Sequence, residues 1–153
     1  MATRNDRAKG KLDAFRLARE EGVLQGQVDA HRLPRVDDLL AEGEAPVAWT
    51  IAGTADAAGR PALTIGLKGS VPLTCQRCLG DFAWSIDQRT EVLLAHDERE
   101  LAALDADSSV EVVLASSPIE PLTLVEDELV LGLPFAPRHP EGTCSEDSIT
   151  RRA

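Results

Sequence analysis

Apolar residues in this chain recur mostly at every second position, and that pattern predicts a protein built largely of strands. Val47, Trp49, Ile51 and Gly53 alternate with Ala48, Thr50 and Ala52, the period of a strand with one buried face. The tract Asp56-Ala57-Ala58-Gly59 is a turn, and Leu63, Ile65 and Leu67 make the return strand, so 47–67 reads as a hairpin. Val71 and Leu73 lead straight into Cys75. Phe82, Trp84 and Ile86 alternate again, and Val92 and Leu94 continue the pattern. Val110, Val112 and Leu114 predict a further strand, ended by Ser116-Ser117-Pro118. Residues 23–31 alternate more weakly through Leu24, Gly26, Val28 and Ala30.

Helical signals are fewer. Leu12, Phe15 and Ala18 predict a short amphipathic helix over 12–20, stopped by Gly22. Pro34 opens a second, with Val36, Leu39 and Leu40 on one face and Gly43 after its end. Thr123 and Glu126 have capping-box spacing and predict a helix over 124–132. The acidic stretch 96–108 reads as a flexible loop between strands. The expected class is α+β: a mostly antiparallel β-sheet, open or barrel-like, with two or three short helices. One domain is expected over 12–145, with a basic arm at 1–11 and a C-terminal tail at 146–153.

Composition narrows the function. The chain has 153 residues, 43% of them hydrophobic, enough to build a core without disulfides. Its net charge is −10, which argues against broad docking to a phosphate backbone. Three Phe, two Trp and no Tyr are too few for a platform on which bases stack. The charge is uneven. Residues 1–19 carry six basic and two acidic residues, whereas 91–128 carry eleven acidic residues and one Arg. The basic end reads as a solvated tail or an arm that touches RNA. The acidic segment reads as a solvated face or as a docking surface for a basic partner. No secretory signal or run of ~18 apolar residues occurs, so a cytoplasmic protein without a membrane span is expected.

Cys75-Gln76-Arg77-Cys78 is a C-x-x-C just after a strand, a spacing at which two thiolates can chelate one soft metal. His139 and Cys144, five apart in a Pro/Gly-rich segment, would complete a Cys3His set for zinc. A reduced, partly buried pair without metal and a thiol–disulfide redox pair are the competing readings. Redox is disfavoured because Leu79-Gly80-Asp81-Phe82 reads as a turn into a strand, not as a helix whose N-terminus would lower a thiol pKa. His31 and His96 lack a nucleophile and carboxylate in a recognisable arrangement. Glu126, Asp127 and Glu128 could bind a divalent ion, but consecutive carboxylates on a helix point in different directions, so a solvated helix start is favoured. No Gly-rich phosphate loop occurs, and no constellation for catalysis or for a small-molecule substrate is evident.

Two segments read together are more specific than either alone. VPLTCQRCLGDF (71–82) followed by VEDELVLGLPFAPRHPEGTC (125–144) resembles the YceD family of large ribosomal RNA subunit accumulation proteins, over roughly residues 10–145. The matching positions are Cys75, Gln76, Arg77 and Cys78, then Asp127, Glu128, Leu129, Leu133, Pro134, Pro137, His139 and Cys144. Gln76, Arg77, Asp127 and Glu128 are the candidate partner-binding positions. The resemblance implies a small bacterial, non-enzymatic factor for synthesis, processing or stability of 23S rRNA. Its expected partner is a large-subunit ribosomal protein or a pre-ribosomal particle, with rRNA met directly or through protein. A thiol oxidoreductase and a zinc-stabilised interaction module are the alternatives. Relatives commonly end in a further tail with an Asn-Pro-Phe-like segment, where this sequence reads Ser148-Ile149-Thr150-Arg151-Arg152-Ala153.

Overall fold

A computed structural model describes residues 11–107, 110–134 and 136–137. The chain runs α1 (Ala14–Arg19), β1 (Val23–Asp29), a 3-10 turn (Ala30–Arg32), α2 (Pro34–Asp37), β2 (Pro46–Ala55), β3 (Pro61–Thr74), β4 (Asp81–Ala95), α3 (Glu98–Asp107), β5 (Glu111–Leu114) and α4 (Pro121–Gly132). The five strands form one sheet in chain order, β1 to β5. The first four pair antiparallel and β5 pairs parallel to β4. The sheet is therefore α+β and mostly antiparallel as expected, but it is open rather than closed into a barrel. Among the described residues, four α-helices accompany it where two or three were expected.

The alternation in the sequence becomes the two faces of the sheet. Val47, Trp49 and Ile51 of β2 and Leu63, Ile65, Leu67, Val71 and Leu73 of β3 are buried on one face, with Ile86, Val92 and Leu94 of β4. Helices α1 and α4 add Leu17, Leu124, Val125 and Leu129 to this core. Neighbours on the same strands, such as Ala48, Thr50, Lys68, Ser70, Ser85, Asp87 and Arg89, are exposed on the other face. An antiparallel sheet with one face covered reads this way, although near the β5 edge Ala62, Leu93 and Ala95 are buried on the opposite face as well. The β2–β3 turn is held by the Asp56 carboxylate, which accepts from the N–H groups of Ala58 (3.0 Å) and Arg60 (2.8 Å). Gly59 supplies the positive φ of +83° that the turn requires.

α1 begins at Asp13, whose carboxylate accepts from the Arg16 N–H at 3.1 Å. Its backbone lies directly on β2: a Cβ at Gly53 would stand 2.0 Å from the Leu17 carbonyl oxygen. Leu12 and Ile119 exchange backbone hydrogen bonds of 2.7 and 2.9 Å, pinning the start of the domain beside the start of α4. Pro34 opens α2 as expected, yet the helix ends at Asp37 and leaves Leu39 exposed.

Three expectations near the C-terminal half are corrected. The acidic stretch expected as a loop is α3, the crossover that a parallel β4–β5 pair requires. Asp97 starts it by accepting from the Glu100 N–H at 2.8 Å, while Glu100 accepts from the His96 N–H at 2.8 Å. The helix over 124–132 instead starts at Pro121, with no side chain capping it, so Thr123 lies inside the first turn. Strand β5 is one residue out of the expected phase. Its register pairs Glu111 with Val92 and Val113 with Leu94, which puts Glu111 and Val113 on the core face and Val112 on the other.

Candidate functional site

The C-x-x-C motif is the tip of the long β3–β4 hairpin. Thr74 and Asp81 end the ladder, and the Thr74 hydroxyl donates to Asp81 Oδ1 at 3.0 Å. Between them the chain forms a knuckle. The Leu79 N–H donates to the Cys75 carbonyl at 2.7 Å, and the Cys75 N–H to the Gly80 carbonyl at 2.9 Å. Leu79 takes a left-handed φ of +58° to close it. The Arg77 N–H points at Cys75 Sγ, 3.4 Å away, a contact that favours electron density on sulfur. Cys75 and Cys78 are buried, at 0% and 1% exposure, whereas Gln76, Arg77 and Leu79 are exposed. The turn thus aims both sulfurs inward and the intervening side chains outward. The Gln76 N–H donates to the Pro137 carbonyl at 2.7 Å, so the segment after α4 lies across the knuckle.

The next element after Cys78 is β4, as the sequence suggests, so no helix starts directly after the motif. His139 and Cys144 lie outside the described residues. Among the described residues, no group of three or more His, Cys, Asp or Glu side chains could hold a metal.

The acidic run on α4 is divided between two tasks. Glu126 and Asp127 clasp Arg35 at the start of α2. The Arg35 N–H donates to Glu126 Oε2 at 3.0 Å, its Nε lies 3.3 Å from Glu126 Oε1, and its terminal nitrogen bonds Asp127. These bonds, the one to Asp127 foremost, hold the guanidinium pKa above its ordinary value. Glu128, one residue on, is the one charged side chain buried among the described residues, at 3% exposure. Its backbone carbonyl accepts from Gln88 Nε2 at 3.1 Å, which ties α4 to β4. Glu111 on the core face of β5 meets it. Burial, the hydrogen bond to Glu128 and the charges of Glu128 and Asp127 push the Glu111 carboxyl up to about 7. The run expected as a solvated helix start is therefore a lock between α2, α4 and the sheet.

The two described histidines serve local structure. His31 Nδ1 lies 2.6 Å from Asp37 Oδ1, and that hydrogen bond raises its pKa above 6.5. His96 stacks on Phe15, with ring centroids 3.9 Å apart and planes 12° apart, and contacts Glu100 at 3.0 Å. Arg35, Gln88 and Glu111 carry no signal in the sequence reading. Arg35 sits 92 residues from Asp127. Glu111, flanked by Val110 and Val112, looks solvent-facing until the strand's phase is known.

Most of the acidic segment is surface. Glu91, Asp97, Glu98 and Asp105 are exposed at the end of β4 and along α3. The last turn of α3 contains no basic residue. Acidic charge there opposes the helix dipole, at a cost of about 0.3–1 kcal/mol. None of the helices among the described residues is long and apolar enough to cross a membrane.

Comparison with known proteins matches neither a curated protein nor a solved structure. A family model described as "Large ribosomal RNA subunit accumulation protein YceD" matches residues 63–152. That span starts in β3 and takes in the knuckle, β4, α3, β5 and α4. It holds both the C-Q-R-C tip and the helix whose following segment crosses it. Since the match extends over more than half of the chain and joins the two pieces of the motif, the chain belongs to the YceD family.

Proposed function

We propose that this protein is a non-enzymatic ribosome-biogenesis factor that supports synthesis, processing or stability of 23S rRNA in the cytoplasm. The family match over residues 63–152 carries this reading. The partner that suits the chain's charge is a basic large-subunit ribosomal protein, alone or within a pre-ribosomal particle. The acidic surface along α3 supports this. Glu98 and Asp105 are exposed there, and the helix carries acid at an end that disfavours it, a placement that contributes nothing to folding. Opposite charge at such a surface steers encounter and selects partners. The rRNA is then reached through protein, with the basic residues of the N-terminal arm as auxiliary contacts. Gln76 and Arg77, exposed on the knuckle, are a second contact point.

The thiol oxidoreductase alternative is weaker. Both sulfurs are buried, and exchange requires an accessible thiolate.

A tagged pull-down at moderate salt, repeated after nuclease treatment, tests the reading. Retention of a large-subunit ribosomal protein before and after nuclease supports it, as does loss of that protein when Glu98→Lys and Asp105→Lys are combined. Recovery of no ribosomal component, or undiminished recovery with the charge-reversed variant, would overturn it.

A further inference from the structure

We propose that a groove between the end of α2, the knuckle and the segment after α4 seats an arginine side chain of a basic protein partner. The inference rests on the protein-contact reading above and deepens it, by naming a second surface and the chemistry it accepts.

Three parts of the chain wall the groove. Leu39 and Leu40 follow α2, Leu73 leads into the knuckle, and Leu133, Pro134 and Pro137 follow α4, around a space of about 280 Å3. These walls are fastened to one another in pairs. The Ala41 N–H donates to the Pro72 carbonyl at 2.9 Å and ties the loop after α2 to the hairpin. The Gln76 N–H donates to the Pro137 carbonyl at 2.7 Å and ties the knuckle to the segment after α4. Arg35, held by Glu126 and Asp127, ties α2 to α4. The groove is therefore built before any ligand arrives, and binding there costs little ordering.

Its lining is of two kinds. Leu39 is 47% exposed and Leu40 half-buried, so aliphatic surface borders the groove and stays in water. Asp38 and Gln76 line it too, and both are exposed. Asp38 makes no ion pair among the described residues, because Arg35 on the same helix is committed to α4. An arginine satisfies both kinds of surface. Its methylene stem packs on aliphatic side chains while its head stays polar. Its planar guanidinium carries five donors and can serve the Asp38 carboxylate and the Gln76 amide oxygen together, whereas a lysine ammonium is a point charge. The surrounding charge agrees. Residues 37–44 hold four acidic residues and no basic one, and residues 74–81 hold one of each, Arg77 and Asp81. Such a rim attracts a cationic protein segment and repels a phosphate backbone.

The test uses the full chain and, as probe, a labelled peptide of alternating Gly and Arg. Binding is read by fluorescence anisotropy and mapped by amide shifts in NMR. The shifts should centre on Leu39, Leu40 and Gln76. Asp38→Asn and Leu39→Ser should each weaken binding by about tenfold. Replacing Arg by citrulline in the peptide should weaken it at least as much, and replacing Arg by Lys should weaken it less. Both protein variants change exposed side chains, so their urea unfolding should match the wild type. Affinity weaker than about 1 mM would overturn the groove. So would equal binding by either variant, equal binding of the citrulline peptide, or shifts confined to α3. A labelled single-stranded RNA that shifts the same amides would overturn the protein partner, and a dimer that Leu39→Ser dissociates would assign the groove to a second copy instead. The pull-down separates this inference from the ribosomal reading. Ribosomal protein recovered equally with wild type and Leu39→Ser would remove the groove and leave that reading standing. Peptide bound in the groove with no ribosomal component recovered would do the reverse.

Discussion

Replacing Glu111 with Gln should stabilise this protein at pH 8 and leave it nearly unchanged at pH 5. Glu111 sits half-buried on the core face of β5 against the buried Glu128, and its carboxyl is pushed up from 4.5 to about 7, first by burial and then by the bond to Glu128. The folded state therefore holds a proton that the unfolded state releases between these two values. The associated stabilisation is complete below pH 4.5 and is lost as pH rises through about 7. At about 1.36 kcal/mol per pH unit the full effect would approach ~3 kcal/mol. Glu111 is partly open to solvent, and screening reduces this to on the order of 1–2 kcal/mol. Gln is isosteric and keeps an N–H donor for Glu128, without a proton to lose. Urea or thermal unfolding of both proteins from pH 5 to pH 8 reads the difference. The variant should gain on the order of 1–2 kcal/mol at pH 8, about 4 °C in melting temperature per kcal/mol, with the gain shrinking toward zero at pH 5. A difference independent of pH, or a variant less stable at pH 8, would refute the argument.

Other consequences are open to equally direct checks. Leu129→Ala leaves a cavity between α4 and the sheet and should cost about 2–5 kcal/mol in urea unfolding; a cost under ~1 kcal/mol would show that α4 is not seated on the core. Gly53→Ala forces the backbone of α1 off β2 and should destabilise by about 1–3 kcal/mol while exposing residues near Phe15 to protease; melting with the wild type would sink the close contact. Asp37→Asn should return the His31 pKa toward 6.5 in an NMR titration, because its bond to Asp37 is the main cause of the rise. The stability from that pair is present below pH 6.5 and lost as pH passes the folded His31 value, so Asp37→Asn should cost stability at pH 5.5 and little at pH 8.5. An unshifted His31 would contradict the assigned hydrogen bond.

How much of this was legible from residues alone follows physical lines. The hairpin β2–β3 and the strand β4 are plain in the sequence because one face is buried and the other exposed, so every second residue reports its side. β5 is short and its two faces are similarly apolar, so its phase depends on the register with β4, which no local pattern encodes. The phase error hides Glu111, and with it the carboxyl pair. The helix starts are similar. Thr123 and Glu126 have the right spacing, but the helix starts earlier at Pro121, whereas Asp97 and Glu100 have the same spacing and do start α3. Ala, Leu, Glu and Arg in 98–104 favour a helix, yet its charge makes the stretch look like loop. The C-x-x-C knuckle was legible because turn and chemistry lie within six residues. The contacts of Arg35 with Glu126 and Asp127 join residues about ninety apart, and only the assembled core brings them together.

The most direct test of the central claim is the ratio of mature 23S to 16S rRNA in cells lacking this gene. The account predicts a lowered ratio with fewer free large subunits, restored by the wild-type chain and not by the charge-reversed Glu98→Lys, Asp105→Lys protein. An unchanged ratio in the deletion strain would contradict it.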